Sequence, residues 1–457
     1  MTDRFAKERD AYIKSHPKSQ ALHQRALKLF PAFGATHVAR MWDPFSPYIE
    51  RADGSHSWDV DGHEYIEYGC GHGGMILGHN HPDIVAAITD QLTNGTHFSA
   101  SHPYEVEWAE IIQSMIPCAE FIEAFASGQE ANIMAVRVAR AVTGRKKILR
   151  FYENFHGWSD ELSYLPSPGL LDPNVTQIRM NNMNALEREL ASEEYAIVFT
   201  EGGGAHMGGQ IPWEDDVIRA VGPLAKKHGT VWLLDEVVTG FRDGPDGWGG
   251  IMGLDPDLKT LGKIVAGGLA QGVLVGKKEI MSIITPQLDG SPCIMHSGTW
   301  NALPLICRAG IAAMKLLQDG SVAKKVNESG AYLRNKINTA MREKGINWRV
   351  FGRSILQNYF GPIDFEPEND ALPPTKDEAK MVAGGPEKNK IGVYLLQRGV
   401  QTAQGRMFIL NIAHSKEDLD KTADALIDSV ITAQQDGILG ELPSGDKGLW
   451  DLKLHFR

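Results

Sequence analysis

Lys263 is the residue of this chain whose surroundings are most unusual for its type. It is the single charged residue in 260-TLGKIVAGGLAQGVLVG-276, where the other residues are neutral and mostly small or apolar. A lysine held in such surroundings has a depressed pKa, and its neutral amine can act as a Schiff-base nucleophile. Taken alone, the same residue is also compatible with a solvated lysine in a loop.

Two carboxylates end an apolar run earlier in the chain. The run 230-TVWLLDE-236 is typical of a buried strand that leads directly into Asp235 and Glu236. In open α/β sheets, ligands bind at the edge formed by the carboxyl ends of the parallel strands. Asp235 is therefore a candidate partner for a cationic group, and a capping or salt-bridging role remains the alternative.

A third segment, 127-SGQEANIMAVRVARAV-142, is predicted to be a helix with one apolar face. That face is formed by residues at helical spacing, namely Ala131, Met134, Ala135, Val138, Ala139 and Val142. Ser127 and Glu130 have the spacing of a capping box at the helix start. A well-capped core helix would explain the pattern. Gly128 in the first turn adds a second interpretation, because free backbone N–H groups there could bind a phosphate.

The three segments together match the requirements of pyridoxal 5′-phosphate. A helix N-terminus suits the phosphate, Asp235 suits a protonated pyridine nitrogen, and a desolvated Lys263 suits the aldehyde. In such a site the lysine is displaced by a substrate amine and then serves as the general base. The sequence thus predicts a pyridoxal-phosphate site, whereas each segment alone does not.

The elements that must position these residues alternate between helical patterns and short apolar runs from about residue 81 to about residue 325. Buried strands are predicted at 148–152, 195–201, 230–236 and 272–276. Such alternation predicts an α/β fold with a mostly parallel sheet covered by helices. Helices are predicted over residues 6–30 and 325–345, and residues 361–390 are predicted to be mainly a surface excursion with a helix that starts near Lys376.

Composition narrows the class of protein. The formal net charge of −11 argues against a partner that is a nucleic acid or an anionic membrane. The four cysteines have no C-x-x-C pair, which favours reduced thiols over a disulfide framework or a zinc site. The N-terminal residues lack the apolar core of a secretory signal, and no apolar run is long enough to span a bilayer. A cytoplasmic protein without a metal is expected, and His79 and His81 are interpreted as turn residues.

The quoted segments and their flanking residues resemble the class III aminotransferases, a family of fold type I pyridoxal-phosphate enzymes. The likeness is greatest to the branch around glutamate-1-semialdehyde 2,1-aminomutase and the β-amino-acid aminotransferases, and it runs from about residue 34 to about residue 420. The matching motifs agree in order and spacing: 58-WDVDGHEYIEY-68, 78-GHNHP-82, 127-SGQEA-131, 155-FHG-157, 235-DEVVTGFR-242, 261-LGKIVAGG-268, 297-SGTWNALPL-305 and 412-IAHSKEDL-419.

The resemblance implies a fold and a division into domains. A large pyridoxal-phosphate-binding domain, residues 71–324, would have a mostly parallel seven-stranded sheet covered by helices. A smaller α+β domain would be built from both chain ends, with residues 1–70 contributing to it and residues 325–457 forming most of it.

Catalytic roles follow from the same resemblance. Lys263 would be the Schiff-base lysine that forms the internal aldimine, and Asp235 would be the partner of the pyridine nitrogen. Val237 would pack on one face of the cofactor ring. Phe155, followed by His156, would stack on the other face.

The resemblance also implies how the phosphate is bound. Backbone N–H groups of Gly128 and Gln129 would hold it, together with Ser127. Thr299 in the SGTW motif would reach the phosphate of the neighbouring subunit, which implies a homodimer with shared active sites. Glu201 stands where the family has the glutamate of its E-P-x-x-G motif.

Several departures from the family pattern affect the expected substrate. The E-P-x-x-G motif is replaced by 201-EGGGAHMGG-209, and His206 would lie near the phenolic oxygen of the cofactor or line the pocket. His37 aligns with an arginine that anchors a substrate carboxylate in the relatives, and Arg40 follows three residues later. Arg406 replaces a characteristic glutamate of the aminomutase, so it could bind a carboxylate or lie at the surface.

These departures favour a true aminotransferase over an aminomutase. It would move an amino group from an amine or amino acid to a keto acid or aldehyde in a ping-pong cycle. A 2,1-aminomutase is the first alternative, a decarboxylase or racemase is less favoured, and a non-catalytic small-molecule-binding protein is the alternative from another class. An aromatic-rich pocket is expected from His37, Trp42, His97, Trp158 and Trp300, of which His37 and Trp300 are candidate substrate contacts.

Overall fold

The computed structural model describes residues 3–37, 40, 42–163, 172–204, 212–286, 290–346, 348–360, 387–403 and 407–438. The chain divides into two compact units. One consists of Met1–His81 and Lys325–His455, as far as these ranges are described, and the other is essentially Pro82–Lys324. The first domain boundary predicted from the sequence, after residue 70, lies earlier than the observed one after His81. The second predicted boundary, after residue 324, coincides with the observed one.

The described elements are short strands that alternate with helices. The strands are β1 Ile49–Asp53, β2 His56–Asp59, β3 Glu64–Tyr68, β4 Phe121–Phe125, β5 Lys147–Phe151, β6 Val175–Ile178, β7 Tyr195–Glu201, β8 Val231–Glu236, β9 Leu258–Gly262, β10 Gly272–Gly276, β11 Arg349–Gly352, β12 Ile355–Phe360, β13 Val400–Thr402 and β14 Met407–Ile409. The helices are α1 Asp3–Ser15, α2 Pro17–Ala26, α3 Cys70–Gly73, α4 Pro82–Asn94, α5 Pro103–Met115, α6 Gly128–Thr143, α7 Met183–Ala191, α8 Asp215–Lys227, α9 Gly247–Ile251, α10 Lys278–Met281, α11 Pro304–Leu317, α12 Ser321–Glu343, α13 Glu387–Gln397 and α14 Lys416–Gln435.

The larger unit is built on a seven-stranded sheet in the order β4-β10-β9-β8-β7-β5-β6. Strands β9, β8, β7, β5 and β6 pair in parallel, whereas β10 is antiparallel to both of its neighbours. All residues of β7 and β8 are buried, as expected for parallel strands covered on both faces. The predicted mostly parallel α/β fold is therefore confirmed.

Alternating side chains of the central strands enter two separate hydrophobic cores. On β7, Ile197 and Phe199 belong to the core that includes helix α6. Val198, between them, belongs to the core that includes α7 and α8. Since successive side chains of a strand point to opposite faces, each strand holds both helical layers. The predicted apolar face of α6 is buried except for Val142, which is in the last turn and 41% exposed.

The smaller unit has two sheets and draws on both ends of the chain. Its four-stranded sheet has the order β1-β2-β3-β13, and β13 pairs in parallel with β3 so that Val400 faces Ile66. The other sheet has the antiparallel order β11-β12-β14. The expected α+β domain built from both chain ends is therefore confirmed.

Residues 6–30, which were predicted to be helical, form two helices, α1 and α2, with a break at His16, and the helical structure ends at Ala26. Pro17 is the first residue of α2, and proline lacks the N–H that a continuous helix needs. His16, between the two helices, has a φ of −121° and a ψ of 53°, which lie outside the helical region that a following proline disfavours. The residue Lys376, where a helix was expected to start, lies outside the described residues, as do residues 361–386. Among the described helices, none is both long and apolar enough to cross a membrane.

Candidate active site

Lys263 directly follows strand β9, at the edge of the sheet where the parallel strands end. It begins a short 3-10 turn, Lys263–Ala266, and has a positive φ of 50°. Burial lowers the pKa of Lys263, and the nearby carboxylates of Asp235 and Glu201 oppose this shift only in part. A lowered pKa gives the amine more of the neutral, nucleophilic form.

Asp235 lies near the end of the neighbouring strand β8 and is almost fully buried. Its Oδ1 accepts a hydrogen bond from the Val237 backbone N–H at 3.0 Å. Its Oδ2 lies 2.8 Å from Nδ1 of His156 and accepts a bond of the same length from Nδ2 of Asn132. Asn132 also donates to the backbone carbonyl of His156 at 2.9 Å, so the three side chains form one unit.

This unit keeps the carboxylate charged. Burial alone would raise the pKa of Asp235, but hydrogen bonding and charge from His156, together with the donors of Val237 and Asn132, outweigh it. The net result is a pKa below the usual value. A buried, ionised carboxylate at this place can hold a proton on a ring nitrogen.

The adjacent Glu236 serves a different purpose. It points to the other side of β8, where its Oε1 lies 3.3 Å from Nζ of Lys259 and accepts from the Gly249 N–H at 2.7 Å. Both side chains of this ion pair are buried. Of the two strand-end carboxylates, the structure therefore assigns Glu236 to the packing of the sheet and leaves Asp235 for the site.

The N-terminus of helix α6 forms a narrow backbone cradle. Ser127 is the N-cap residue, and its hydroxyl accepts from the Glu130 N–H at 3.3 Å. The Glu130 carboxylate bonds to the Ala126 N–H, so the predicted capping box is shifted by one residue. Gly272 brings β10 so close that a Cβ there would lie 2.0 Å from the Ser127 carbonyl oxygen.

Gly128 and Val237 bring the cradle close to Lys263. A Cβ on Gly128 would lie 2.6 Å from Cγ2 of Val237, and one on Gly262 would lie 3.0 Å from its Cγ1. Val237 thus packs between the start of α6 and the residue before Lys263. The side chain of Gln129 is engaged elsewhere, because its Oε1 accepts from the Trp158 N–H at 2.6 Å.

Glu201 holds the backbone of Phe155. The Phe155 N–H donates to Oε2 of the buried Glu201 at 3.0 Å, and the Glu201 N–H donates to Oδ1 of Asn154 at 3.1 Å. The edge-to-face contact between Phe155 and Trp158 has a centroid distance of 5.2 Å. Glu201 therefore acts on the backbone that precedes His156.

Thr299 and Trp300 lie on an exposed turn of the larger unit. The Thr299 carbonyl oxygen is 2.7 Å from Nε2 of His97, and the Trp300 ring makes an edge contact with the His97 ring. Trp300 is 60% exposed. An exposed threonine is what a contact with a neighbouring subunit requires.

His37 and Arg40 lie in the smaller unit, and Trp42 packs against its hydrophobic core. The His37 ring stacks on that of His72 at 4.9 Å. Partial burial and the charge of Arg40 lower the pKa of His37. Arg40 donates to the Thr36 hydroxyl at 3.0 Å. His206 and Arg406, the remaining predicted site residues, lie outside the described residues.

Arg40 also lines a cavity of about 460 Å³ with aromatic walls. Phe30, Phe33 and Tyr48 contribute to those walls. One cation in an aromatic cavity suits a carboxylate with an apolar body.

Asn132, Asn154 and the role of His156 toward Asp235 were not predicted from the sequence. Asn132 carries a detectable signal, because it is a polar residue beside the apolar face of a helix that starts at a candidate phosphate site. Asn154 carries none, since its contacts with Glu201 and Met180 arise only when distant strands assemble.

One further cluster, in the smaller unit, contains potential metal ligands. Within the part of the chain that is described, His16, Asp59 and His63 are the one group of this kind whose ligand atoms lie within 4.8 Å of one another. Nδ1 of His16 lies 2.8 Å from the Tyr12 carbonyl oxygen, and the Tyr65 hydroxyl donates to Asp59 at 2.8 Å. The two imidazole rings stack at 4.2 Å, so their in-plane lone pairs do not converge on one point. We interpret the cluster as a hydrogen-bonded core.

Comparisons with known proteins agree with this geometry. The sequence profile described as aminotransferase class-III matches residues 37–355. The glutamate-1-semialdehyde 2,1-aminomutase of Methanocella arvoryzae is 34% identical over 428 residues, which cover 89% of this chain and 97% of that protein. The fold is similar to that of a β-phenylalanine aminotransferase from Variovorax paradoxus, with a TM-score of 0.85, 24% identity and coverage of 94% and 97%. A transaminase solved with bound pyridoxal phosphate has a TM-score of 0.81, 27% identity and coverage of 92% and 99%.

The residues of the site fit pyridoxal phosphate. Gly128 leaves the helix start open where a side chain would collide with Val237, and Asp235 is a charged, buried acceptor beside a lysine of lowered pKa. These are the features that a phosphate, a protonated pyridine nitrogen and an aldehyde require. The chain belongs to the class-III aminotransferase family and is an enzyme whose cofactor is pyridoxal phosphate.

Proposed function

We propose that the protein is an aminotransferase that moves an amino group from an amine or amino acid to a keto acid or aldehyde by a ping-pong mechanism. The observation that carries this proposal is the arrangement of Lys263 and Asp235, with Asp235 held by Asn132 and His156. Both halves of the ping-pong cycle require a group that moves a proton, here Lys263, and a group that keeps the pyridine ring of the cofactor protonated, here Asp235.

The cofactor, when bound, supplies an aldehyde that captures an amine and a ring that withdraws electrons from the neighbouring carbon. Lys263 would be the base that takes the proton from the substrate carbon bearing the amino group and passes it to the carbon of the former aldehyde, because burial lowers the pKa of its amine. Asp235 would hold the proton on the ring nitrogen. Phe155 and Val237 would restrict the ring, and Ser127, Gly128 and Gln129 would hold the phosphate.

Two arginines are proposed for the carboxylate of an acidic substrate or acceptor. Arg406 is the first candidate on sequence grounds, because it replaces a glutamate of the aminomutase pattern. Arg40 is the second, because it follows His37, which aligns with an arginine that anchors a substrate carboxylate in the relatives. Arg406→Ala should raise the KM for keto acids by at least about tenfold while leaving aldehyde acceptors unaffected. An unchanged KM for every keto acid would remove Arg406 from the site.

The active unit is proposed to be a homodimer with shared sites. Thr299 is exposed and lies on a turn with the exposed Trp300 and the nearby exposed Phe98. Large exposed apolar side chains grouped in this way are typical of interfaces. Thr299 would contact the phosphate in the partner subunit, and Trp300 would be available to the substrate there.

The first experiment is a visible absorption spectrum of the purified protein before and after addition of single amines, without any acceptor. An aminotransferase should lose the absorption of the lysine-linked cofactor with its donor and regain it with an acceptor. Lys263→Ala should lack this linkage, whereas Lys278→Ala, at an exposed lysine of the same unit, should behave as wild type. Protein that takes up no pyridoxal phosphate would contradict the proposal and favour a non-catalytic binding protein.

The second candidate function is a 2,1-aminomutase, which the identity to the Methanocella arvoryzae protein favours. Glutamate-1-semialdehyde supplied alone distinguishes the two. An aminomutase converts it to the isomer with the shifted amino group and needs no second substrate. An aminotransferase should give a single turnover at most until a separate donor and acceptor are present.

A further inference from the structure

The turn that carries Thr299 has an unusual set of anchors. Residues 296–302 form no helix or strand, and Thr299 and Trp300 are both exposed. Three histidines nevertheless fix the segment: His97 from the loop after α4, His102 from the start of α5, and His296 from within the segment itself. Each of them uses its ring nitrogens for hydrogen bonds to the turn or to the element beside it.

His97 fixes the backbone of Thr299 itself. Its Nδ1 accepts from the Ser99 N–H at 3.3 Å, so the ring proton resides on Nε2. Nε2 then donates to the Thr299 carbonyl oxygen at 2.7 Å. The ring has no nitrogen left for any other task, although the residue is exposed.

His102 makes the same kind of hydrogen bond to Ala302, three residues beyond Thr299. As the N-cap of α5 it accepts at Nδ1 from the Glu105 N–H at 3.2 Å, which again leaves the proton on Nε2. Nε2 donates to the Ala302 carbonyl oxygen at 2.8 Å. Ala302 has a positive φ of 47°, so this bond holds a backbone conformation that alanine rarely adopts.

His296 fixes the start of the turn. Its Nδ1 lies 2.8 Å from Oε1 of Glu123 on β4, and its Nε2 lies 3.4 Å from the Asn301 amide. A Cβ on Gly298 would lie 2.4 Å from Oδ1 of Asn301, so the turn is closely packed on its inner side.

We propose that His97 and His102 are positioning residues that hold this turn so that the Thr299 hydroxyl meets the phosphate of the cofactor bound in the partner subunit. The proposal rests on the shared sites of the proposed function. Both imidazoles donate to backbone carbonyls, His97 to that of Thr299 itself and His102 to that of Ala302 three residues later, and Thr299 is an exposed residue. These two hydrogen bonds restrict the backbone around Thr299 before phosphate binds. Less conformational entropy is therefore lost on binding.

The test is the affinity of the full-length protein, stripped of cofactor, for pyridoxal phosphate and for pyridoxal, which lacks the phosphate. Thr299→Ala should weaken pyridoxal phosphate binding by at least about tenfold and leave pyridoxal unchanged. His97→Ala should weaken only pyridoxal phosphate binding, by about three- to tenfold. His228→Ala, a histidine at the end of α8, is the matched control and should bind both compounds as wild type.

A double variant shows whether His97 acts through Thr299. If it does, His97→Ala combined with Thr299→Ala should bind pyridoxal phosphate no more weakly than Thr299→Ala alone. His102→Gln, which can keep a donor near the position of Nε2, should retain more affinity than His102→Ala. This comparison guards against loss of folding, because His102 is buried.

The outcomes distinguish the shared active site from the positioning role of the histidines. If Thr299→Ala does not change the affinity for pyridoxal phosphate, both the shared site and the positioning role are wrong. If Thr299→Ala weakens binding but His97→Ala does not, or if His97→Ala weakens pyridoxal equally, the positioning role alone is wrong. Additive losses in the double variant would also overturn it.

Discussion

Asp235 shows how a buried residue can keep its charge. Desolvation favours the neutral acid, yet donors from His156, Val237 and Asn132 converge on the two carboxylate oxygens. Hydrogen bonds to charged groups are worth about 1.5–3 kcal/mol each, which is enough to reverse the effect of burial. The charge of Asp235 therefore depends on its hydrogen-bond partners.

Asn132→Ala tests this dependence. Without its amide, the pKa of Asp235 should rise, so the acid limb of the kcat profile should move to higher pH. Affinity for pyridoxal phosphate should fall by about tenfold. Val142→Ala, at an exposed position of the same helix, is the control and should change neither quantity. An unshifted pH profile in Asn132→Ala would show that the amide does not control the charge of Asp235.

At the scale of elements, the site is set by how closely a helix start approaches the sheet edge. Gly128 on α6 and Gly272 on β10 both stand where a Cβ would collide with a neighbour. This close approach brings the start of α6 and Gly262, the residue before Lys263, into contact with Val237. At Gly128, any residue other than glycine would require the backbone or Val237 to move.

Gly128→Ala should therefore destabilise the protein through Val237. Overpacking of this kind costs about 1–3 kcal/mol, and we expect a lower Tm together with weaker binding of pyridoxal phosphate. The same substitution in a Val237→Ala background should leave the Tm close to that of Val237→Ala alone, because the colliding methyl groups are gone. Equal losses of Tm in the two backgrounds would mean that the helix start tolerates no side chain for another reason.

The parts of this site that the sequence predicted are those fixed by local pattern. The strand before Asp235, the capped helix after Ser127 and the isolated Lys263 each lie within one element, so spacing and composition reveal them. The roles of Asn132 and His156 toward Asp235 depend on α6, β8 and the segment after β5 meeting in space, which no local pattern encodes. The break at Pro17 had a local signal in the proline itself.

At the scale of the whole molecule, a buried histidine couples folding to pH. His414 accepts from the Asn411 N–H at Nδ1 and lies 3.1 Å from the Glu67 carbonyl oxygen at Nε2, so the fold selects its neutral form. Burial lowers the pKa of His414 to about 4, whereas an unfolded chain has a value near 6.5. Burial lowers the pKa of His16 as well.

The sign of the effect follows from proton uptake. Between pH 6.5 and 4 the unfolded state binds a proton that the folded state does not, so stability is complete above about pH 6.5 and is lost as the pH falls. The free energy of unfolding should decrease by about 3 kcal/mol over this range from His414 alone. Urea denaturation at a series of pH values measures it. His414→Gln should be less stable at pH 7.5 but have a shallower slope, and an unchanged slope would assign the loss to other groups.

A shared active site also makes a prediction for mixed dimers. At a pyridoxal phosphate concentration too low to load Thr299→Ala, this variant and Lys263→Ala are both inactive, because each lacks a different part of the site. In the proposed homodimer these parts come from different subunits. In a mixed dimer, one site combines the altered residue 263 of one subunit with the altered residue 299 of the other and has both defects. The other site combines the intact Lys263 with the intact Thr299 and has neither. Unfolding and refolding the two variants together at equal amounts should restore about a quarter of wild-type activity, since half of the dimers are mixed and half of their sites are intact. Each variant refolded alone is the control. No recovery in mixed samples whose exchange of subunits is verified by differential tagging would show that Thr299 serves the site of its own chain.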